Sequence, residues 1–207
     1  MNKAEQLAEL AAECAACTRC GLHAGRTRSV FSDGNPAARI MLIGEGPGYN
    51  EDQQGKPFVG QAGQLLDRML AAIGLDRQQV YIANIVKCRP PGNRTPTPEE
   101  MQACLGYLEA QIALVQPQII ILSGATALQG LLQQKRSISR SRGQWLQWQG
   151  IWCMPIFHPA YLLRNAARDK GSPKWLTWQD LKAIKAKYLA LMTPITEERR
   201  IKDVNQN

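Results

Sequence analysis

No stretch of this 207-residue chain stays apolar for the ~20 residues a membrane span requires. The longest apolar run, over 112–122, is interrupted by Gln116, Pro117 and Gln118. An export signal is missing too. The chain begins MNKAEQLAEL, with Glu5 and Glu9 where a signal peptide needs an unbroken apolar core. These absences point to a cytoplasmic protein. Acidic residues are the minority, 17 against 25 Lys and Arg, and the resulting net charge of +8 fits a polyanionic partner. Disorder is excluded as the main state, because 44% apolar residues are enough to bury a core without disulfide staples. The six cysteines, in a chain with no export signal, do not read as a disulfide scaffold. Internal repeats and low-complexity segments are absent, and so is the Gly-Lys-Ser/Thr of a Walker loop.

What is present alternates between strands and helices. Residues 3–16 form an amphipathic helix with Leu7, Leu10, Ala11 and Cys14 on one face. The runs RIMLIG (39–44), VYIANIV (80–86) and QIIILS (118–123) read as buried strands, and 145–148 with 151–156 as a hairpin. Helices are expected over 64–73, 98–115, 125–133 and 177–192; Thr97-Pro98-Glu99-Glu100 gives the second a capping box with proline at its first position. The expected fold is a three-layer α/β/α domain over residues 1–192. It has a central, mostly parallel four-stranded sheet, helices on both faces and a cysteine-bearing N-terminal segment. Residues 193–207 form a polar, flexible tail.

In such sheets ligands bind beyond the carboxyl ends of the strands. The loops after Gly44, Val86, Ser123 and Ile156 therefore share one rim. The first, Gly44-Glu45-Gly46-Pro47-Gly48, lets backbone N–H groups approach a polar ligand closely. Asn84 offers a primary amide that both donates and accepts, enough to read one edge of a base. His158, against Pro159 at a strand end, is placed for catalysis or ligand contact. Cys17-x-x-Cys20 is a chelate-ready pair, and with Cys88 and Cys104 it suits either zinc or an iron–sulfur cluster. Spacing does not decide between the metals, nor does it exclude Cys14, which stands at the same interval from Cys17. Cys153 reads as a buried strand residue.

These pieces together resemble the family 4, iron–sulfur uracil-DNA glycosylases. The matching segments are CTRCGLH (17–23) with Arg26-Thr27, GEGPG (44–48), PFVG (57–60), NIVKCRPP (84–91), NRTPT (93–97) and FHPAYLLR (157–164), followed by GSPK (171–174) and LTW (176–178). Any one of them is weak; the ordered set is specific and spans nearly the whole chain from Cys17. The resemblance implies a 4Fe-4S cluster on Cys17, Cys20, Cys88 and Cys104, with Cys14 outside the ligand set. It implies a DNA repair enzyme that flips uracil out of single- or double-stranded DNA and hydrolyses its N-glycosidic bond, working as a monomer. By the same resemblance His158 donates to uracil O2, Asn84 reads the base edge, Phe58 stacks on the ring, and the backbone of Glu45 and Gly46 lines the pocket.

Two functions stay open between residues. Other branches of the superfamily carry an Asp where this chain has Gly46, so either Glu45 or Glu51 is expected to orient water. Glu51 is also the candidate for blocking the C5 methyl of thymine. DNA contacts are expected from Arg140 and Arg142 in the basic 135–142 loop, from Arg164, and from a wedge formed by Leu162 or Leu163. A uracil-capture protein that forms a covalent adduct is the alternative, but that relative carries a His-containing insertion after the Asn-bearing strand, and 87–97 contains no histidine. A non-catalytic iron–sulfur protein would not need Asn84, Phe58 and His158 on one rim.

Overall fold

A computed structural model describes residues 2–193. The expected tail at 193–207 lies outside them apart from Thr193. Along the chain the elements are α1 (Lys3–Ala16), β1 (Asp33–Gly34), β2 (Ile40–Gly44), α2 (Tyr49–Gln54), α3 (Gln61–Ala72), β3 (Val80–Asn84) and α4 (Pro98–Val115). They continue with β4 (Ile119–Ser123), α5 (Ala125–Leu132), α6 (Ile138–Ser141), β5 (Leu146–Trp148), β6 (Ile151–Ile156), α7 (Pro159–Arg164) and α8 (Pro173–Met192).

The sheet has six strands in the order β1-β3-β2-β4-β6-β5. Its four inner strands are parallel, as expected; the count of four left out β1 and did not include β5, the first arm of the expected hairpin. Both edge strands pair antiparallel, β1 with β3 and β5 with β6. β1 is only two residues long and carries no hydrophobic pattern to read.

Every residue of β2, β3 and β4 is buried, because helices cover both faces. The faces separate with the two-residue strand period. Met41, Ile43, Tyr81, Ala83, Ile120 and Leu122 pack against α1, α4 and α5. Ile40, Leu42, Val80, Ile82, Ile119 and Ile121 pack against α3, α7 and α8. A slip of one residue would exchange these sets, so the register is strongly fixed. That register aligns Gly44 with Asn84, and Ser123 with Ile156. The four strand ends therefore open on one rim.

Helices α2, α6 and α7 fall where loops were expected. None exceeds six residues, too short for an amphipathic period to show in sequence. Helix α4 starts as its sequence requires, with Thr97 accepting from Glu100 N and Glu100 accepting from Thr97 N.

Candidate active site and cysteine cluster

The rim encloses a cleft of about 360 Å³ lined by Glu45, Gly46, Glu51, Phe58, Asn84 and His158, so six residues from four separated segments meet in one place. Asn93 and Arg94 also line it. Their segment, NRTPT (93–97), carries the family resemblance without marking either residue for a role.

Asn84 ends β3 and is 2% exposed, yet its side-chain amide makes no hydrogen bond to any described residue. Its amide lines the cleft and is free to pair with a ligand there, since Ser123 Oγ is the fully buried side-chain polar atom left without a partner among the described residues; a ligand that covered the amide without pairing it would lose about 1–3 kcal/mol. Fully buried Lys87 fixes the strand end beneath it. Its ammonium donates to Asn84 O at 2.8 Å and to Gln111 Oε1 at 2.6 Å. Burial holds this ammonium down to about 8, against the opposing pull of Cys104 and Cys14. A lysine in a strand-end loop carries no sequence signal for such a post.

Phe58 sits at φ 54°, a conformation unusual for an aromatic residue, and its ring stacks on the His158 imidazole at 5.7 Å and 28°. Two clamps hold it there. Arg77 donates to Pro57 O at 3.1 Å and to Phe58 O, while pairing with Asp33 and Asp67. Glu51 takes the next two amides, Val59 N and Gly60 N, each at 2.8 Å on Oε1. Close packing requires glycine nearby: a Cβ on Gly63 would stand 1.7 Å from Phe58 O, and one on Gly44 2.5 Å from Asn84 Oδ1. Gly46 is similarly confined, since a Cβ there would meet Val86 Cγ2 at 2.7 Å, so the aspartate of other branches does not fit this backbone unaltered.

His158 is the N-cap of α7, and its Nδ1 accepts from Ala160 N at 3.1 Å. A backbone amide can only donate, so Nδ1 is unprotonated and Nε2 carries the proton. Desolvation, reinforced by Arg164 and opposed by Glu51, pushes the imidazolium pKa down to about 4. His158 is therefore a neutral donor at physiological pH.

The two candidate carboxylates differ. Glu51 is committed on both oxygens, with Oε2 accepting from Gly48 N at 3.1 Å in addition to the two bonds on Oε1. It ties the Gly-rich loop to the Phe58 loop as a wall brace. Glu45 accepts a hydrogen bond from Thr126 Oγ1 on Oε2, and Oε1 has no partner among the described residues.

Several expected DNA contacts are revised. Leu162 is 2% exposed and packs in the core, whereas Leu163 is 40% exposed, so only the second is available as a wedge. Arg142 is bonded to Asp180 and Leu176 O and is not free for phosphate. Arg140 and Arg164 remain exposed.

On the opposite side of β3, Cys17, Cys20, Cys88 and Cys104 line one small cavity together with Cys14, Arg26 and Lys87. Among the described residues no three Cys, His, Asp or Glu side chains converge on a single ion. The donor set fits a thiolate-bound polynuclear cluster: four soft ligands from three segments, with cations beside them. Arg26 Nη1 donates to Cys88 Sγ at 3.2 Å, and Lys87 N to Cys104 Sγ at 3.3 Å. Burial raises the pKa of the Cys88 and Cys104 thiols, and that of Cys14 to about 12, so these groups stay protonated unless coordinated.

A parallel sheet whose rim gathers an unpartnered amide, an aromatic ring and a neutral imidazole donor has the groups that a nucleobase-processing enzyme needs. Residues 31–182 match the uracil DNA glycosylase superfamily, and the chain belongs to it. Within that superfamily it falls in the type-4 branch. It is 48% identical to the type-4 uracil-DNA glycosylase of Thermotoga maritima over 172 residues, covering 82% of this chain and 90% of that protein. The type-4 enzyme of Archaeoglobus fulgidus is 42% identical, covering 77% and 84% respectively. A type-5 uracil-DNA glycosylase of Thermus thermophilus is more distant, 35% identical over 51% of this chain and 54% of that protein. No described helix is long and apolar enough to cross a membrane.

Proposed function

We infer that the chain is a DNA repair hydrolase that removes uracil from DNA and leaves an abasic site. The observation that carries this reading is the unpartnered Asn84 amide, buried beside Phe58 and His158 in one cleft. A base within duplex DNA is out of reach, so the uracil nucleotide must flip into that cleft. Asn84 would accept from uracil N3–H and donate to O4; cytosine presents the opposite pattern and would leave the amide unpaired. The pyrimidine ring stacks on Phe58.

In the chemical step the N1–C1′ bond breaks, and its electron pair leaves with uracil as an anion whose charge gathers at O2. His158 Nε2–H donates a hydrogen bond to O2 and keeps its proton, stabilising the anion by preorganised electrostatics. Water adds to the cation-like C1′, and Glu45, through Oε1, orients it and takes its proton. That proton finally returns to the departed uracil. Glu51 acts by holding the wall; its committed oxygens argue against water activation, and its fixed place in the cleft lining keeps it as the group that excludes the thymine methyl.

The cysteine cavity would hold a 4Fe-4S cluster on Cys17, Cys20, Cys88 and Cys104, supported by the type-4 relatives and by the donor set. When bound, the cluster ties the 17–20 loop to the strand end that carries Asn84; no reaction step passes through it. Cys88→Ser is expected to lower protein-bound iron and acid-labile sulfide and reduce thermal stability, whereas Cys153→Ser, in the strand core, should keep the iron. Retention of full iron by Cys88→Ser would remove that ligand from the set.

Single-turnover incubation with a uracil-containing oligonucleotide tests the main reading. Free uracil and an alkali-labile site are expected, with no release from matched cytosine or thymine strands. A stable protein–DNA adduct without free uracil would favour covalent capture instead.

A further inference from the structure

A second depression lies beside the cleft and has no part in the chemistry above. It is a groove of about 480 Å³ between α3, α7 and α8. Its floor is apolar and buried, formed by Met69, Leu162 and Leu181. Its walls are apolar but open, with Leu163 40% and Trp178 39% exposed. Arg68, Arg168 and Lys174 stand around it, and no carboxylate among the described residues lines it. Lys182 adds a fourth cation, 5.8 Å from the Trp178 ring.

An apolar groove alone would suit a lipid or a greasy peptide. Exposed indole among cations with no balancing acid suits a chain that alternates flat rings with negative charges, which is the chemistry of single-stranded nucleic acid. The groove and the cleft share two of their walls, since α3 and α7 line both. Helix α7 begins at its N-cap His158, and Leu163 lies five residues further, about 7.5 Å along the axis at the ~1.5 Å rise of a helix. Stacked nucleotides repeat at ~3.4 Å along a strand, so the groove begins about two nucleotides from a uracil held at His158.

We propose that the groove between α3, α7 and α8 binds the uracil-bearing DNA strand beyond the flipped nucleotide, with a flanking base on Trp178 and phosphates on Arg68, Arg168 and Lys174. The proposal rests on the glycosylase reading of the neighbouring cleft and extends the footprint of the same substrate. It makes Trp178 a residue that measures substrate length while taking no part in bond cleavage.

The test uses single-stranded oligonucleotides in which uracil stands at increasing distances from either end. Wild type is compared with Trp178→Ala, Trp178→Phe and the double variant Arg68→Gln/Lys174→Gln. α8 buries Thr177, Asp180, Leu181 and Ile184 but not Trp178, so the alanine variant should melt as wild type does. Trp178→Ala is expected to raise KM about tenfold on long strands with kcat unchanged, and to have no effect when one nucleotide flanks the uracil on each side. Trp178→Phe should recover most of the loss. The double variant should flatten the dependence of log KM on log salt by about 1.5, two phosphates' worth. A KM equal to wild type at every length overturns the proposal. So does an equal penalty at every length, which would make Trp178 a support of the fold. If wild type releases no uracil from any strand, the glycosylase reading fails separately. The groove is then judged by anisotropy of the same labelled strands: a length-dependent loss of affinity in Trp178→Ala is expected, and its absence overturns the proposal.

Discussion

Replacing His158 with alanine should slow single-turnover uracil release by about 10²–10³-fold, the usual cost of deleting one oxyanion donor, while DNA binding is retained. The size follows from the tautomer. Ala160 N–H occupies Nδ1, so the lone imidazole proton sits on Nε2, the one ring nitrogen left to donate in the cleft that His158 lines. His158→Gln, which keeps an N–H donor on a side chain of similar reach, should recover part of the loss. A decrease of less than tenfold in the alanine variant would remove His158 as the electrophile. The pH dependence is a second check. Because burial and Arg164 hold the imidazolium pKa at about 4, the rate should show no inflection at the ordinary value of 6.5 and should change only as pH approaches 4. A charged histidine would instead give a rate that rises on acidification through 6.5. Stability follows the same linkage. Between 6.5 and about 4 the unfolded chain binds a proton at this position that the folded chain refuses, so folding stability falls as pH drops through that window.

The residues that made this site legible in the sequence stand at strand ends. Gly44 and Ile156 close apolar runs whose β-branched content marks them as buried, Asn84 lies near the end of a third that the structure stops two residues early, and the rim follows from parallel pairing. The N-terminal helix was readable to its bounds from the face shared by Leu7, Leu10, Ala11 and Cys14; the capping box of Asn2 and Glu5 that starts it is a finding of the structure. Residues that act through others were not legible. Arg77 lies 19 positions from Phe58 yet grips its carbonyl, and nothing in its local sequence says so. Glu51 carried the opposite ambiguity: a carboxylate beside a glycine-rich loop suggests water activation, but three backbone N–H groups turn it into a brace. The leucine pair shows the limit of pattern alone. Leu162 and Leu163 are chemically equivalent, and only the phase of a six-residue helix decides which enters the core. Arg142 was misread for a similar reason. In a basic, serine-containing loop it looks like a phosphate ligand, and its partner Asp180 is 38 residues away.

That ion pair leads to the second large effect. Arg142 Nε donates to Asp180 Oδ2 at 2.8 Å, and Nη2 meets both Oδ1 and Leu176 O, forming a two-pronged tie between the α6 loop and α8. The Asp180 side chain is 1% exposed, and Gly143, at φ 75°, leaves room for it; a Cβ there would stand 2.6 Å from Oδ1. Arg142→Met should therefore leave a buried carboxylate without a counter-charge and destabilise the fold by about 3–5 kcal/mol in urea unfolding. The sign of its pH dependence is fixed. Burial already holds the Asp180 pKa above the usual carboxylate range, with Arg142 pulling against it, and removing the arginine raises it further. The folded variant then binds a proton that the unfolded chain gives up, so its deficit grows as pH rises through the folded pKa and shrinks toward acid. Adding Asp180→Leu should recover most of the lost stability, because the charge is then gone along with its partner. Arg140→Gln separates this role from DNA contact. Exposed and unpaired with any acid among the described residues, Arg140 should change the salt dependence of binding and leave stability alone, while Arg142→Met does the reverse. A large salt-slope change with unaltered stability in Arg142→Met would return that residue to the DNA interface.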